Sequence, residues 1–138
     1  AGFDDAIVLN QDGHVAEGSA TNFMMVRGGV LVTPPATENI LEGITRRTII
    51  QLAREELSLP VVERPIDRSE LYLADEAFFC GTGAQVTPIA SVDHRPIGDG
   101  EVGPITRRVR DLYFAIVYGR EPKYRHWVTA IHAQPVAA

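Results

Sequence analysis

Over the first third of the chain, short apolar-rich stretches are separated by polar and glycine-containing breaks, the pattern of strands bounded by turns. Residues 7–10, 14–17, 21–26 and 30–33 form four such stretches, separated by Asp12-Gly13, Gly18 and Gly28-Gly29, which are hairpin and bulge signals. The pattern predicts a β meander ended by Pro34-Pro35. A helical period follows. Ile49, Leu52, Ala53 and Leu57 recur on one face of a helix predicted over residues 43–57, and that face packs on the sheet. Asp67-Arg68-Ser69-Glu70 has the form of a capping box opening a short helix to about residue 74. Glu76-Ala77-Phe78-Phe79-Cys80 reads as a buried strand, and residues 85–92 as another. Gly98-Asp99-Gly100 marks a loop before a second helix, with Pro104 in its first turn, a stripe of Ile105, Val109, Leu112 and Ile116, and Gly119 as its stop. Trp127 is expected to anchor the tail and residues 133–138 to fray.

Composition bounds what this domain can be. The chain has 138 residues, 45% of them apolar, enough for one core and not two, so residues 1–138 read as a single domain. A net charge of -5 argues against the basic face that a nucleic-acid backbone requires. No apolar run approaches a membrane span, and the lone Cys80 cannot form an intrachain disulfide, so a buried thiol and a cytoplasmic setting are expected. His14, His94, His126 and His132 are widely spaced and lack companion ligands, so no metal site is expected. The chain opens without methionine almost directly into a strand, which reads as a piece of something longer.

Three features carry candidate chemistry. Gly43-Ile44-Thr45-Arg46-Arg47 and Gly103-Pro104-Ile105-Thr106-Arg107-Arg108 each place glycine, a hydroxyl and two arginines at a helix start, where free amides and the macrodipole favour an anion. Composition does not separate the two copies, but Pro104 removes a donor, so the second reads as an ordinary helix start. The arginine pairs themselves are expected to face solvent or carboxylates. Gly81-Thr82-Gly83-Ala84 follows an apolar strand and can aim consecutive amides at an anion, although a tight turn would look the same. Glu17 ends a strand beside the small residues Gly18, Ser19 and Ala20. A carboxylate together with two anion nests suits a ligand with a phosphate at one end and a protonated ring nitrogen at the other. Pyridoxal phosphate is such a ligand.

At these positions the sequence resembles the class IV, D-amino-acid-aminotransferase-like pyridoxal phosphate enzymes, and among them the bacterial branched-chain amino-acid aminotransferases. The resemblance rests on Glu17-x-Ser19-x-x-Asn22-Phe23, Leu31-x-Thr33, Leu41-x-Gly43-Ile44-Thr45-Arg46, the run Leu71 to Glu76, Gly81-Thr82-Gly83-Ala84, and residues 98–114. It implies an α+β fold, the C-terminal domain of the fold type IV enzymes, with a mixed sheet or pseudo-barrel and packed helices. It also implies that Glu17 keeps the pyridine nitrogen protonated and Leu41 packs on the ring. Gly43, Ile44 and Thr45 at the helix start, with Gly81 and Thr82, would grip the phosphate, while Gly83 and Ala84 would offer amides to the substrate carboxylate. Met24 stands where the pattern usually has an aromatic residue, and Gln85 where many relatives have glutamate.

The family's Schiff-base lysine lies upstream, and this chain offers no counterpart. Its single lysine, Lys123, sits in the charged, proline-broken stretch Arg120 to Arg125, the wrong setting for a neutral amine. The resemblance therefore implies the cofactor-binding half of an aminotransferase that moves the amino groups of leucine, isoleucine and valine to 2-oxoglutarate. Such a half would be inactive alone, completed by a missing N-terminal portion, and homo-oligomeric. A D-amino-acid aminotransferase or aminodeoxychorismate lyase of the same fold, or a non-enzymatic phosphate-binding fragment, remain alternatives.

Overall fold

The computed structural model describes residues 1–132, and the expected fraying of the last six lies outside the described residues. The meander forms as β1 (Ile7–Leu9), β2 (Val15–Gly18), β3 (Asn22–Arg27) and β4 (Val30–Thr33), each antiparallel to the next. Gly28 and Gly29, with φ of 54° and 78°, make the two-residue β3–β4 turn, a conformation only glycine adopts at no steric cost. After α1 (Ile44–Glu55) the chain returns as β5 (Val61–Glu63), parallel to β4. This βαβ crossover is absent from the sequence expectation, because a three-residue strand hemmed by Pro60 and Pro65 shows no period.

β6 (Glu76–Gly81) pairs antiparallel with β3 along its length, from Asn22↔Cys80 to Val26↔Glu76, and β7 (Gln85–Pro88) pairs with β6. β3 is thus the hub of a mixed seven-stranded sheet, flanked by β6 and by β2 and β4. The strand expected over residues 85–92 breaks in two. β8 (Ser91–Val92) leaves the sheet to form a small hairpin with β9 (Arg95–Pro96), turning on Asp93 and His94 at φ of 50° and 62°. α2 (Pro104–Val117) follows, with Pro104 in its first turn as expected.

The sheet is buried on both faces, which explains the unbroken apolar run in β3. Met24 and Val26 point to the helix side, where they meet Phe78, Cys80, Val86, Ile49, Ala53 and Val109. Phe23 and Met25 point the other way, to Val15, Val32, Ile66, Leu71, Phe79 and Ile97. Adjacent residues serve opposite cores because side chains alternate across a strand. Met24, fully buried in the helix-side core, is therefore a packing residue.

Two local expectations are corrected. Residues Arg68–Leu73 form a 3-10 helix whose N-cap, Asp67, makes no side-chain cap bond. Glu70 instead accepts from Arg64 and from Arg27 at 2.8 Å, and these guanidinium bonds hold its carboxyl at about 2. The tail is anchored by Tyr124, which packs with Leu52 and Ile116 and donates its hydroxyl to Glu56 at 2.6 Å, whereas Trp127 is exposed and leans on Tyr124.

Candidate cofactor site

The two look-alike helix starts are built differently. At α2 the Glu76 carboxylate accepts from the amides of Ile105 (3.2 Å) and Thr106 (2.7 Å), so the protein supplies its own anion there. Gly103 makes room for it, since a Cβ at that position would collide with the Glu76 side chain. At α1 the N-cap is Gly43, no side chain caps the helix, and the first turn carries no acidic residue. The first amides of an α-helix have no partner within the helix. Of the two starts, and among the described residues, only that of α1 therefore presents free donors and the positive end of a helix dipole to an outside anion. Thr45 lies buried in this turn and Ile44 is exposed.

Arg46 and Arg47 divide. Arg47 faces solvent, but Arg46 is buried, donating to Glu63 at 2.6 Å and to the Pro34 carbonyl at 3.0 Å. It ties α1 to the ends of β4 and β5. Burial pushes the neighbouring Cys80 thiol up to about 12, only partly offset by the Arg46 charge, so Cys80 is not a nucleophile. Lys123 is exposed and ion-paired to Glu56, and that bond raises its pKa, the opposite of what a neutral amine requires.

Glu17 sits next to the open helix start. Its Oε2 accepts from the Leu41 amide at 3.0 Å and from Asn22 Nδ2 at 3.4 Å. The Leu41 carbonyl in turn accepts from the Gly43 amide at 2.9 Å, so residues 41–43 run from the carboxylate to the N-cap of α1. Leu41 is 74% exposed, an apolar residue beside a carboxylate. Ser19 donates to Asp5 at 2.5 Å, fixing the turn that follows Glu17 to the N-terminal segment. The Thr21 hydroxyl in the same turn is buried without a partner.

Register places Gly81-Thr82-Gly83-Ala84 at the same end of the sheet. Glu17 pairs with Asn22, and Asn22 with Cys80, so the β6–β7 turn begins one residue past a row shared with Glu17. The two are two strand intervals apart, about 10 Å. Thr82 and Gly83 are exposed, and the turn is closed by Thr87 Oγ1 donating to the Ala84 carbonyl at 2.8 Å. The left-handed residue here is Gln85, at φ 58°, not either glycine. Among the described residues no hydrogen bond joins this turn to Glu17 or to α1; the sheet alone relates them. Glu17 itself lines an open cleft of about 650 Å³ with Val8, Leu9, Gly18, Ser19 and Asn39, and neither Thr45 nor Thr82 contributes to that cleft. A second opening of about 430 Å³ beside the end of α2, lined by Phe114, Tyr118 and Arg120 among others, contains no candidate residue.

The residues present offer what each pole of pyridoxal phosphate needs: an acceptor for a ring N–H at Glu17, and the unpartnered amides of Ile44 and Thr45 with the Thr45 hydroxyl, beside Gly43, whose own amide is taken by the Leu41 carbonyl. Among the described residues no cluster of potential metal ligands forms.

Comparison with known proteins identifies the family. The family described as amino-transferase class IV matches residues 1–92. A probable branched-chain-amino-acid aminotransferase of Aquifex aeolicus is 49% identical over 132 residues, covering 96% of this chain and 42% of its own length. The crystal structure of the branched-chain amino acid aminotransferase from Thermobaculum terrenum in its PLP form superposes with a TM-score of 0.92 at 54% identity, covering 96% of this chain and 43% of that one. The T.th. branched-chain amino acid aminotransferase complexed with N-(5'-phosphopyridoxyl)-L-glutamate gives 0.91 at 43% identity, covering 95% and 44%. The chain thus spans about two fifths of the length of the relatives it matches. With a matched stretch of that extent and relatives near one-half identity, this chain belongs to the class IV amino-transferase family.

Proposed function

We propose that the chain is the cofactor-binding part of a pyridoxal phosphate-dependent branched-chain amino-acid aminotransferase, moving amino groups of leucine, isoleucine and valine to 2-oxoglutarate. The observation that carries this reading is the joining, through residues 41–43, of the Glu17 carboxylate to the uncapped start of α1. The relatives support it, since one was solved in its PLP form and another with a phosphopyridoxyl-glutamate adduct.

When bound, the cofactor supplies an electron sink for the pair released as an amino acid loses its α-proton. The chain's own residues bind and orient it. Glu17 places a negative charge at the pyridine nitrogen and so holds a proton on it, as an opposite charge favours the charged form. Leu41 offers its exposed side chain to the ring face. The amides of Ile44 and Thr45, the Thr45 hydroxyl and Thr82 take the phosphate, with Gly43 and Gly81 allowing close approach. The amides of Gly83 and Ala84 meet the substrate carboxylate. The covalent lysine comes from a preceding portion of the enzyme, and the working protein is a cytoplasmic homo-oligomer.

The test is Glu17→Gln in the complete enzyme. The expected result is a fall in kcat of about a hundredfold or more, of the size lost when a positioned electrostatic partner is removed, and a smaller but measurable loss of cofactor affinity, since the phosphate end still holds. Turnover equal to that of the unmodified enzyme refutes the role of Glu17.

A further inference from the structure

Asn22 opens β3 as its one buried polar residue, ahead of the apolar run Phe23 to Val26, with 5% of its surface exposed. A buried amide costs stability unless its donors and acceptor are used. Its Nδ2 donates to the Leu41 carbonyl at 2.8 Å and lies 3.4 Å from Glu17 Oε2. Its Oδ1 lies against Gly43, where a Cβ would collide with it. The reverse orientation would set the amide oxygen against a carbonyl and a carboxylate, so the donor set fixes which way the group faces. One side chain thus touches the carboxylate, the carbonyl of Leu41 and the N-cap of α1.

Both donors to Glu17, from Leu41 and Asn22, fall on Oε2. Among the described residues no donor reaches Oε1, which leaves that oxygen for an N–H from outside the chain. We infer that Asn22 is a positioning residue: it holds Glu17 by one oxygen so that the other faces the ligand's ring nitrogen, and it locks residues 41–43 so that carboxylate and helix start keep a fixed separation. The inference rests on the reading of this corner as a pyridoxal phosphate site. It extends that reading to a residue that does not itself touch the cofactor.

Asn22→Asp keeps the shape, removes the donor and sets a carboxylate against the Glu17 carboxylate and the Leu41 carbonyl. Glu17→Gln removes the charge that this substitution would repel. The experiment is a double-mutant cycle in the complete enzyme, reading kcat, KM and, by calorimetry, the binding of 4'-deoxypyridoxine 5'-phosphate, which has the ring nitrogen and phosphate but no aldehyde. Asn22→Asp alone is expected to weaken the analogue and lower kcat by about tenfold each, as loss of a hydrogen bond to a charged group does, with KM for the amino acid moved by less than about twofold. In the Glu17→Gln background the same substitution is expected to change either quantity by less than about twofold.

Equal effects in both backgrounds overturn the inference, because a merely structural residue would act alike in each. If Glu17→Gln weakens the analogue and Asn22→Asp does not, the inference fails and the cofactor reading stands. If Glu17→Gln binds the analogue as tightly as the parent, the cofactor reading itself fails. Should Asn22→Asp lose its native circular dichroism, Asn22→Ala in the same cycle replaces it, with a smaller loss expected and the same dependence on Glu17.

Discussion

Truncating Glu76 tests the contrast between the two helix starts on which the choice of anion site depends. Its carboxylate, in a residue only 8% exposed, accepts from the amides of Ile105 and Thr106, and Thr106 is 1% exposed. A hydrogen bond to a charged group contributes about 1.5–3 kcal/mol, and a buried donor left unmade costs about 1–3 kcal/mol. The two bonds share one carboxylate whose own desolvation offsets part of the gain, so their contributions do not sum. Glu76→Ala is therefore expected to cost about 3 kcal/mol, and Glu76→Gln, which keeps an acceptor but loses the charge at the helix start, about 1 kcal/mol. For a chain of this size the alanine variant would melt roughly 10 °C lower. Urea unfolding followed by far-ultraviolet circular dichroism gives both values from the shift in midpoint at constant slope. A loss below about 1 kcal/mol for Glu76→Ala, or equal losses for the two variants, would show that α2 does not need its internal anion. The distinction drawn between α1 and α2 would then collapse.

Other outcomes follow from the same structure. Glu70 has its pKa depressed to about 2 from 4.5 by Arg64 and Arg27, so its contribution to stability is present above pH 4.5 and lost as pH falls toward 2. Glu70→Gln should cost about 1–2 kcal/mol at pH 7, with the cost fading as pH falls from 4.5 and vanishing only below pH 2, and a pH-independent difference in urea midpoint would contradict the pairing. Cys80, buried and shifted up to about 12, should resist a thiol-reactive chromophore in the native chain and react after denaturation; rapid native labelling would place it elsewhere. Purified alone, the 138-residue chain should show no transamination of leucine above background, since proton transfer by a positioned group contributes about 10²- to 10⁴-fold. Measurable turnover would mean that it needs no lysine from elsewhere.

The strands and helices were legible wherever one pattern persisted. The short apolar stretches of β1 to β4 and the glycine-containing breaks between them place the meander, and the stripes of α1 and α2 place both helices. Short or irregular pieces were not: β5 is three residues between prolines, and the break after Pro88 depends on Asp93 and His94 turning a separate hairpin. Asp67 and Glu70 matched a local capping pattern, yet Glu70 found stronger partners in two arginines brought from β3 and from the end of β5.

The amino-acid order by itself determined which residue types were available to the candidate site: a carboxylate at position 17, two glycine-hydroxyl-arginine helix starts and a glycine turn after an apolar strand. It did not rank the helix starts, because their compositions match. Tertiary structure ranked them, by delivering Glu76 from β6 to α2 and, among the described residues, no acceptor to the first turn of α1. It also turned Asn22 from one polar residue ahead of an apolar run into the link between Glu17 and Gly43, which lie far apart along the chain. The physical reason is the same in both cases: whether a buried donor or acceptor is free depends on what the fold carries to it from a distance, and local sequence holds no record of that.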